Sequence, residues 1–233
     1  EFRQDRERYL DLVCEEIIPH VAECGLARFC DVFCEEGVFS EAESRRVLIT
    51  GQEHGLAPRL HADEFAPSGG AELAAELGAF SADHLIAVSA QGIAALAAAG
   101  VTAVLLPGTS FFLLSHHYAP ARALIDAGVP VALATDCNPG SSFTGSMPTI
   151  ITLAVFEARM TIEEALTAST LNAACSLGLG DDRGSVEVGK RADLVILDLP
   201  DLAHLGYHYG DNPVRVVIKD GRPVWSRPEV EQR

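Results

Sequence analysis

Four titratable side chains stand beside short apolar segments of this sequence: His61, Glu64, His84 and Asp136. A neutral imidazole is a good ligand for zinc or iron. A carboxylate such as Glu64, three residues after a histidine, can take a proton from a metal-bound water or give one to a leaving nitrogen. These residue types suit metal-assisted hydrolysis of a C–N bond.

Each of these residues also has a structural interpretation. Glu64 fits equally well as a solvated loop acid beside a strand-end histidine. Asp136 follows the run VALAT, and burying a lone carboxylate is costly, so it is a metal ligand, a hydrogen-bonded structural acid or an exposed one. A single histidine such as His84 is more often structural than catalytic. The residue types alone leave these alternatives open.

The segment after Asp136 offers further polar groups. Asn138, Gly140 and Ser141 follow it in a tight loop that presents an amide side chain and backbone N–H groups to a polar substrate. An ordinary turn explains the same residues, because Asn, Pro and Gly favour turns for conformational reasons.

Two other histidine pairs carry less weight. We expect the adjacent histidines at 116–117 to belong to a loop, since neighbours on an ordered strand point in opposite directions. His204 and His208 are four apart, as on one face of a helix, but Gly206 and Gly210 argue against a helix. We interpret this second pair as structural or interface residues.

Short apolar strands alternate with helices over residues 29–135. The strands are predicted at 29–35, 57–62, 84–89, 101–106 and 130–135, and the helices at 41–54, 70–77, 91–99 and 118–127. Ser40 is the expected N-cap of the first of these helices. Five βα repeats predict either a doubly wound sheet or part of a (β/α)8 barrel, and periodicity does not choose between them.

The candidate residues lie mostly where these strands end. In a barrel, catalytic groups converge at the C-terminal strand ends, where His61, Glu64 and Asp136 are placed. His84 stands at the start of its apolar run, and only a shorter, earlier strand would put it at an end.

The pattern changes after Asp136. Helices are predicted at 150–159 and 161–169, with Thr161 and Glu164 as a capping box. Two β segments follow at 184–198 and 214–225, the second with a hairpin turn at Asp220-Gly221. We therefore expect a small β module that starts near Gly184.

Net charge, cysteine spacing and the length of apolar runs argue against several classes of function. The net charge of −16 argues against nucleic acid and anionic membranes as partners. The six cysteines form no CxxC pair, which argues against a zinc ribbon and favours reduced thiols in the cytosol. The sequence contains no apolar run of 18 residues, so a membrane span is not expected.

Several longer segments together resemble one family. HADEF at 61–65, GGAELAAELGAFSADHL at 69–85, LLPG at 105–108 and ALATDCNPGSS at 132–142 are similar to imidazolonepropionases, of the amidohydrolase superfamily. The tail segments GSVEVGKRADLVILD at 184–198 and YHYGDN at 207–212 fit the same family, so the resemblance covers nearly the whole chain.

The resemblance implies a fold and an activity. The fold is α/β, a metal-dependent-hydrolase (β/α)8 TIM barrel of which strands 4–8 are present in residues 1–183, with part of a small C-terminal β-sandwich in residues 184–233. The activity is hydrolysis of 4-imidazolone-5-propanoate to N-formimidoyl-L-glutamate, a step in histidine degradation, by a water activated on one zinc or iron ion. A cytoplasmic homodimer of the full-length protein is implied as well.

The resemblance also assigns residue roles. His61 and Asp136 match metal ligands, Glu64 matches the acid that contacts the imidazolone and moves protons, and His84 matches a histidine that positions water or polarises the substrate. Glu64, His84 and Asp136 are thus the expected catalytic residues, and the expected substrate-binding residues are Glu64, Asn138, Gly140 and Ser141. Ser141 stands where relatives often carry threonine, which keeps a hydroxyl.

The sequence departs from the superfamily pattern in one respect. The first-strand HxH pair of metal ligands is absent, as are the arginine, tyrosine and histidine that hold the propionate of the substrate. Two protein ligands make a poor zinc site, so we expect these residues to be the C-terminal portion of a protein of roughly 400 residues. The alternatives are another amidohydrolase, such as a cytosine deaminase or a dihydroorotase-like enzyme, or an inactive partial barrel.

Overall fold

The computed structural model describes residue 2 and residues 5–228, so the ends of the two predicted domains, at 1, 3, 4 and 229–233, lie outside it. The chain forms two compact units. The first unit is Glu1–Leu105 with Ala119–Val131, and the second unit is Leu106–Tyr118 with Ala132–Arg233. The predicted domain boundary between residues 183 and 184 stays a prediction.

A five-stranded parallel sheet organises the βα part of the chain. Its strands are β1 (Phe29–Cys34), β2 (Ala57–Ala62), β3 (Ser81–His84), β4 (Thr102–Leu105) and β5 (Val131–Leu133), and their order is β1-β2-β3-β4-β5. A doubly wound sheet reverses its strand order at a switch point, whereas a barrel wall adds each strand next to the one before. The consecutive order decides between the two predicted architectures and confirms a section of barrel.

The first unit contains the four predicted helices and further helical segments before β1. They are α1 (Arg6–Asp11), a π-helical segment (Leu12–Ile17), α2 (Ile18–Glu23), α3 (Glu41–Glu53), α4 (Gly70–Glu76) and α5 (Ala90–Ala99), and after the short second-unit helix α6 (Pro107–Phe112) comes α7 (Ala121–Asp126). Ser40 caps α3 as predicted, in a reciprocal capping box with Glu43. Helix α7 begins later than predicted, because Pro120 disfavours a helical conformation for the residue before it.

Strand β3 corrects the prediction of a strand at 84–89. It ends at His84, because His84 and Leu85 both have left-handed backbones, with φ values of 73° and 57°. The Leu85 N–H donates to the carbonyl of Ala62 at 3.0 Å, and the Leu85 side chain is fully buried. The apolar run after His84 therefore packs as a core turn, and the shorter, earlier strand is the one that forms.

The second unit contains short helices and an antiparallel sheet. Besides α6 its helices are α8 (Met147–Phe156), α9 (Ile162–Ser169), α10 (Leu171–Ser176) and α11 (Ala203–Tyr207), and its strands β6 (Leu194–Leu197), β7 (Val214–Lys219) and β8 (Arg222–Ser226) pair in the order β6-β7-β8. Thr161 caps α9 in the predicted capping box with Glu164. In the described part of the chain, no helix has the length and apolar character needed to cross a bilayer.

Two predictions for the second unit are wrong and one is confirmed. The predicted β segment at 184–198 contains only the four residues of β6. Gly206 argues against a helix in the sequence, yet it lies inside α11 and is buried there. The hairpin turn at Asp220-Gly221 forms as expected, with positive φ at both residues.

The end of strand β4 was predicted from the sequence, but the helix α6 that follows it was not. The strand stops before Pro107, as expected, but Pro107 also begins a helix, a position that suits its fixed φ and missing N–H. Gly108 follows it because a side chain would not fit: a Cβ atom there would lie 2.8 Å from Ile150 Cδ1 and 2.9 Å from Ser142 Oγ.

Gly70 lets helix α4 approach the end of β2, and its replacement tests that packing. A Cβ atom at Gly70 would lie 2.7 Å from Ala62 Cβ and 3.0 Å from Ala62 Cα. We expect Gly70→Ala to lower the free energy of unfolding by about 1–3 kcal/mol, because an overpacked core must shift its backbone. Denaturant unfolding measures this loss. Gly145→Ala is the control, since nothing lies within 4 Å of its added Cβ; equal stability of the two variants would contradict the packing argument.

Candidate active site

The register of β1, β2 and β3 places six side chains on one face of the sheet. Paired residues of parallel strands point to the same side, and alternate residues share a face. The two rows of partners on this face are Asp31–Arg59–Ser81 and Phe33–His61–Asp83. Five of the six side chains are polar, so this face is suited to a polar site rather than to a hydrophobic core.

His61 is oriented by a carboxylate on the neighbouring strand. Its Nδ1 atom lies 2.9 Å from Asp31 Oδ2, and both side chains are partly exposed. A carboxylate at this distance favours the tautomer with the proton on Nδ1, which leaves the Nε2 lone pair for a metal ion. His61 therefore has the surroundings that a metal-binding histidine requires.

Asp83 and Arg59 form a second, more buried pair on the same face. The Arg59 guanidinium lies 3.2 Å from Asp83 Oδ2, and the Ser81 hydroxyl donates to Oδ1 at 2.7 Å. Burial raises the pKa of the Asp83 carboxyl above its ordinary value, and the charge of Arg59 opposes this. The pair links strands β2 and β3 on the face of the sheet that carries His61.

The left-handed backbone at the end of β3 turns His84 towards the same face. In the strand register His84 is the partner of Ala62, which is fully buried and lies on the opposite face from His61. Nevertheless the rings of His84 and His61 have centroids 5.4 Å apart. The turn at His84, with φ of 73°, accounts for this departure from the pleat.

Glu64 meets His84 in a buried pair. The side chains are 6% and 3% exposed, and Glu64 Oε1 lies 3.5 Å from His84 Nδ1. Carboxylates and imidazoles are the side chains that general acid–base catalysis uses most often, and here the two kinds lie side by side. The structure thus brings three of the predicted site residues together, and we call them the His–Glu cluster: His61, Glu64 and His84.

Asp63, directly before Glu64, is a structural acid. It is 1% exposed, and its two oxygens accept hydrogen bonds from the N–H groups of Ser68, Gly70 and Ala71 at 2.8, 3.3 and 3.0 Å. The N–H groups of Gly70 and Ala71 belong to the first turn of α4, where the helix itself provides no acceptor for them. Asp63 provides that acceptor and so caps the helix from outside it. Its φ of 51° turns the chain sharply after β2.

Glu35, in the turn after β1, holds the other side of the same segment. It is 2% exposed, and its Oε2 accepts hydrogen bonds from the backbone N–H groups of Glu64 and Phe65, both at 2.9 Å. Its Oε1 accepts from the N–H of Glu36 at 3.1 Å. Three backbone donors therefore satisfy a buried carboxylate, and the carboxylate fixes the backbone of Glu64.

Asp136 lies in the second unit, after β5, and is half buried. The Thr109 hydroxyl of α6 donates to Asp136 Oδ2 at 2.6 Å, and the Ser141 hydroxyl lies 3.5 Å from the same oxygen. Like Asp63 and His84, Asp136 has a left-handed backbone, with φ of 49°. Of the alternatives for Asp136, the structure shows a hydrogen-bonded acid. Its role as a metal ligand stays a prediction.

Asn138 organises the loop after Asp136. Its Nδ2 donates to the carbonyl of Asp136 and to Ser141 Oγ, both at 2.8 Å. Its Oδ1 accepts from the N–H groups of Gly140 and Ser141 at 2.8 and 2.9 Å. The amide therefore shapes the loop, and Ser142 anchors it through a hydrogen bond to the carbonyl of Thr135 at 2.6 Å.

The remaining histidine pairs stay outside the candidate site. Residues 116 and 117 lie in a loop, as predicted. His204 lies on α11 and His208 directly follows that helix, with ring centroids 5.2 Å apart, and His204 Nδ1 lies 2.8 Å from Asp201 Oδ1. The interpretation of these two residues as structural or interface residues stays a prediction.

Sequence reasoning missed four residues that position the others: Asp31, Glu35, Asp63 and Thr109. The sequence does contain a sign of Asp31. It is an acid within an apolar strand, two residues before Phe33, and alternate residues of a strand lie on the same face, which here is the face of His61. The other three act through backbone N–H groups or across a sequence gap of 27 residues, and no spacing rule reveals such contacts.

The donor chemistry of the predicted ligands suits a metal ion. In His61, Nδ1 faces Asp31, and Nε2 is the ring nitrogen on the other side that suits a metal ion. Asp136 offers a carboxylate that Thr109 holds by a hydrogen bond. Within residue 2 and residues 5–228, however, no group of three or more His, Cys, Asp or Glu side chains is arranged to hold a metal. Each of the two side chains therefore has, by itself, the chemistry of a metal ligand.

Comparison with known proteins agrees with this chemistry. Among curated relatives, the imidazolonepropionase of Shouchella clausii (strain KSM-K16) is 56% identical over 96% of this chain and 50% of its own length. That of Geobacillus thermodenitrificans (strain NG80-2) is 53% identical over 99% of this chain and 54% of its own. The chain thus spans about half the length of the curated relatives that it matches.

A solved structure and a family model point the same way. A zinc-bound adenosine deaminase from Xanthomonas campestris superposes with a TM-score of 0.68 and 28% identity, over 84% of this chain and 51% of the other. The model of the amidohydrolase family matches residues 42–224, which include the His–Glu cluster and the Asp136 loop. The chain belongs to the amidohydrolase family.

Proposed function

We propose that the protein containing this sequence hydrolyses 4-imidazolone-5-propanoate to N-formimidoyl-L-glutamate. The relatives named imidazolonepropionase, at 53–56% identity over nearly the whole chain, support the substrate. The observation that carries the chemistry is the buried Glu64–His84 pair beside His61. A cyclic amide needs water added at its carbonyl carbon and a proton delivered to its departing nitrogen, and this pair suits both proton movements.

The residues of the cluster would divide the work. Glu64 would accept the proton of the attacking water and return it to the ring nitrogen as the C–N bond breaks. His84, whose Nδ1 faces Glu64, would use its other nitrogen to polarise the substrate carbonyl or stabilise the developing oxyanion. Burial of both side chains strengthens these interactions, because bulk water does not compete with them.

We propose His61 and Asp136 as ligands of a zinc or iron ion, each on the evidence of its own surroundings. When bound, such an ion lowers the pKa of its water to about 7 and so supplies a nucleophile at neutral pH. Asp31 would hold the His61 ring in the ligating tautomer, and Thr109 would hold the Asp136 carboxylate. A zinc site takes three or four protein donors, so the others would come from residues outside this sequence.

The loop of Asn138, Gly140 and Ser141 is proposed to bind the substrate. Gly140 is exposed and its N–H is held by Asn138, so the loop presents a preformed backbone surface. The Ser141 hydroxyl, which receives a hydrogen bond from Asn138, would add a polar contact. A homodimer and a cytoplasmic location stay predictions from the resemblance.

Turnover by the full-length protein encoded around this sequence tests the proposal. With zinc or iron supplied, we expect it to convert 4-imidazolone-5-propanoate into N-formimidoyl-L-glutamate. In ¹⁸O-labelled water the product should carry one heavy oxygen, read by mass spectrometry, because hydrolysis adds the water oxygen to the carbonyl carbon. Cytosine and dihydroorotate are the comparison substrates. Turnover of either of them, without turnover of the imidazolone, would replace this proposal with another amidohydrolase activity.

Glu64→Gln should remove proton transfer while the fold is kept. We expect kcat to fall by about 10²–10⁴-fold, since the amide has the same shape but neither accepts nor donates the transferred proton. Steady-state kinetics, with metal content and thermal midpoint measured alongside, checks this. Glu53→Gln, an exposed acid at the end of α3, is the matched control and should keep the parental kcat. A Glu64→Gln enzyme with kcat close to the parent would remove Glu64 from the mechanism.

Asp31→Ala should weaken metal binding without touching a ligand. Loss of the carboxylate beside His61 Nδ1 frees the ring to rotate and to change tautomer, so we expect about 10–100-fold weaker affinity. Competition with a chelator of known affinity measures the dissociation constant in the full-length protein. Asp126→Ala, which removes an exposed carboxylate of the first unit, is the control. An unchanged dissociation constant for Asp31→Ala would show that His61 does not bind the metal through the assigned nitrogen.

A further inference from the structure

We infer that Glu35 is a positioning residue for Glu64, acting through the backbone of the segment that carries it. The inference rests on the proposed function, in which Glu64 moves the protons. Glu35 comes from the turn after β1 and is separated from Glu64 by 29 positions in the sequence.

The geometry of Glu35 is that of a clamp on two consecutive amides. One oxygen, Oε2, receives the N–H groups of Glu64 and of Phe65, and the other receives the N–H of Glu36. Two adjacent N–H groups that converge on one anionic oxygen fix the backbone dihedrals of the residue between them, which is Glu64. A rotation of Glu64 about its backbone would break at least one of these bonds.

Backbone hydrogen bonds fix the turn that contains Glu35. The Glu35 N–H donates to the carbonyl of Phe39 at 3.0 Å, and the N–H of Val38 donates to the carbonyl of Glu35 at 3.0 Å. The clamp is therefore attached to the sheet through a closed loop. Because the carboxylate is buried, water does not compete for its acceptor sites.

Asp63 supports the segment from the opposite side. Its carboxylate ties residues 68–71 back to the end of β2, while Glu35 ties residues 64 and 65 to the end of β1. Glu64 lies between the two ties, with its side chain 3.5 Å from His84. Asp63 holds the loop and helix α4, whereas Glu35 accepts the backbone N–H of Glu64, the residue that is proposed to transfer the proton.

Two conservative substitutions separate positioning from charge. Glu35→Gln keeps the length of the side chain and an oxygen that accepts both N–H bonds, although its NH₂ group then faces the Glu36 N–H. Glu35→Asp keeps the charge but withdraws the oxygens by one methylene. We expect kcat to fall only a few-fold in Glu35→Gln and about 10–100-fold in Glu35→Asp, with KM nearly unchanged, since small misplacements of a catalytic group are costly. The reverse order would show that charge, not reach, matters and would overturn the inference.

A double-mutant cycle distinguishes positioning from plain stability. If Glu35 acts through Glu64, Glu35→Asp should lower kcat in the parent and have no further effect in the Glu64→Gln background. An equal fall in both backgrounds would mean a general structural role and would contradict the inference. Glu72→Asp, which shortens another acid of the first unit that bonds Ser89, is the control and should leave kcat unchanged.

Hydrogen exchange tests Glu35 independently of any substrate. The amides of residues 64 and 65 should exchange faster in Glu35→Asp than in the parent, and remain protected in Glu35→Gln. Unchanged protection in Glu35→Asp would overturn the inference even in an active enzyme. A protein that turns over no imidazolone would contradict the proposed function, while the exchange rates would still report on the Glu35 clamp.

Discussion

A carboxylate withdrawn from water must be met by hydrogen-bond donors, and the segment after β2 is folded around two such groups. Asp63 gathers the first N–H groups of α4, and Glu35 gathers those of Glu64 and Phe65. The backbone amides satisfy the acids, and the acids in return hold the backbone in one conformation. Because Glu64 lies between them, the hydrogen bonds that stabilise this segment also direct the Glu64 carboxylate towards His84.

Left-handed backbone conformations at strand ends are the second constraint on the site. Asp63, His84 and Asp136 all adopt positive φ, which costs free energy for residues other than glycine. In a straight strand, the pleat would leave His84 on the face opposite to His61. The turn at His84 brings both rings to the same side of the sheet. The unfavourable backbone conformation at the end of β3 is therefore what makes the His–Glu cluster possible, because a regular strand would keep the two rings apart.

Sequence patterns predicted those parts of the structure that depend on neighbours along the chain. The N-cap at Ser40, the capping box at Thr161 and the bounds of β2 were predicted correctly, because each depends on contacts within a few residues. The strand at 84–89 was not, because apolar periodicity does not reveal that His84 and Leu85 turn sharply. The general cost of glycine in helices argues against helix α11, yet the helix forms with Leu205 and Gly206 buried. Its formation needed tertiary contacts that spacing does not encode.

The site residues divide in the same way. His61, Glu64, His84 and Asp136 stood out because their types have recognised chemistry, and the family resemblance gave them roles. Glu35 is an acid of the same type in a short acidic turn, where the ordinary expectation is a solvated surface residue. Only the fold shows that it is buried and bonded to the amide of Glu64. Residues that act through another residue's backbone leave no mark in motif spacing, so the chemistry of a site is easier to read from sequence than the interactions that hold it in place.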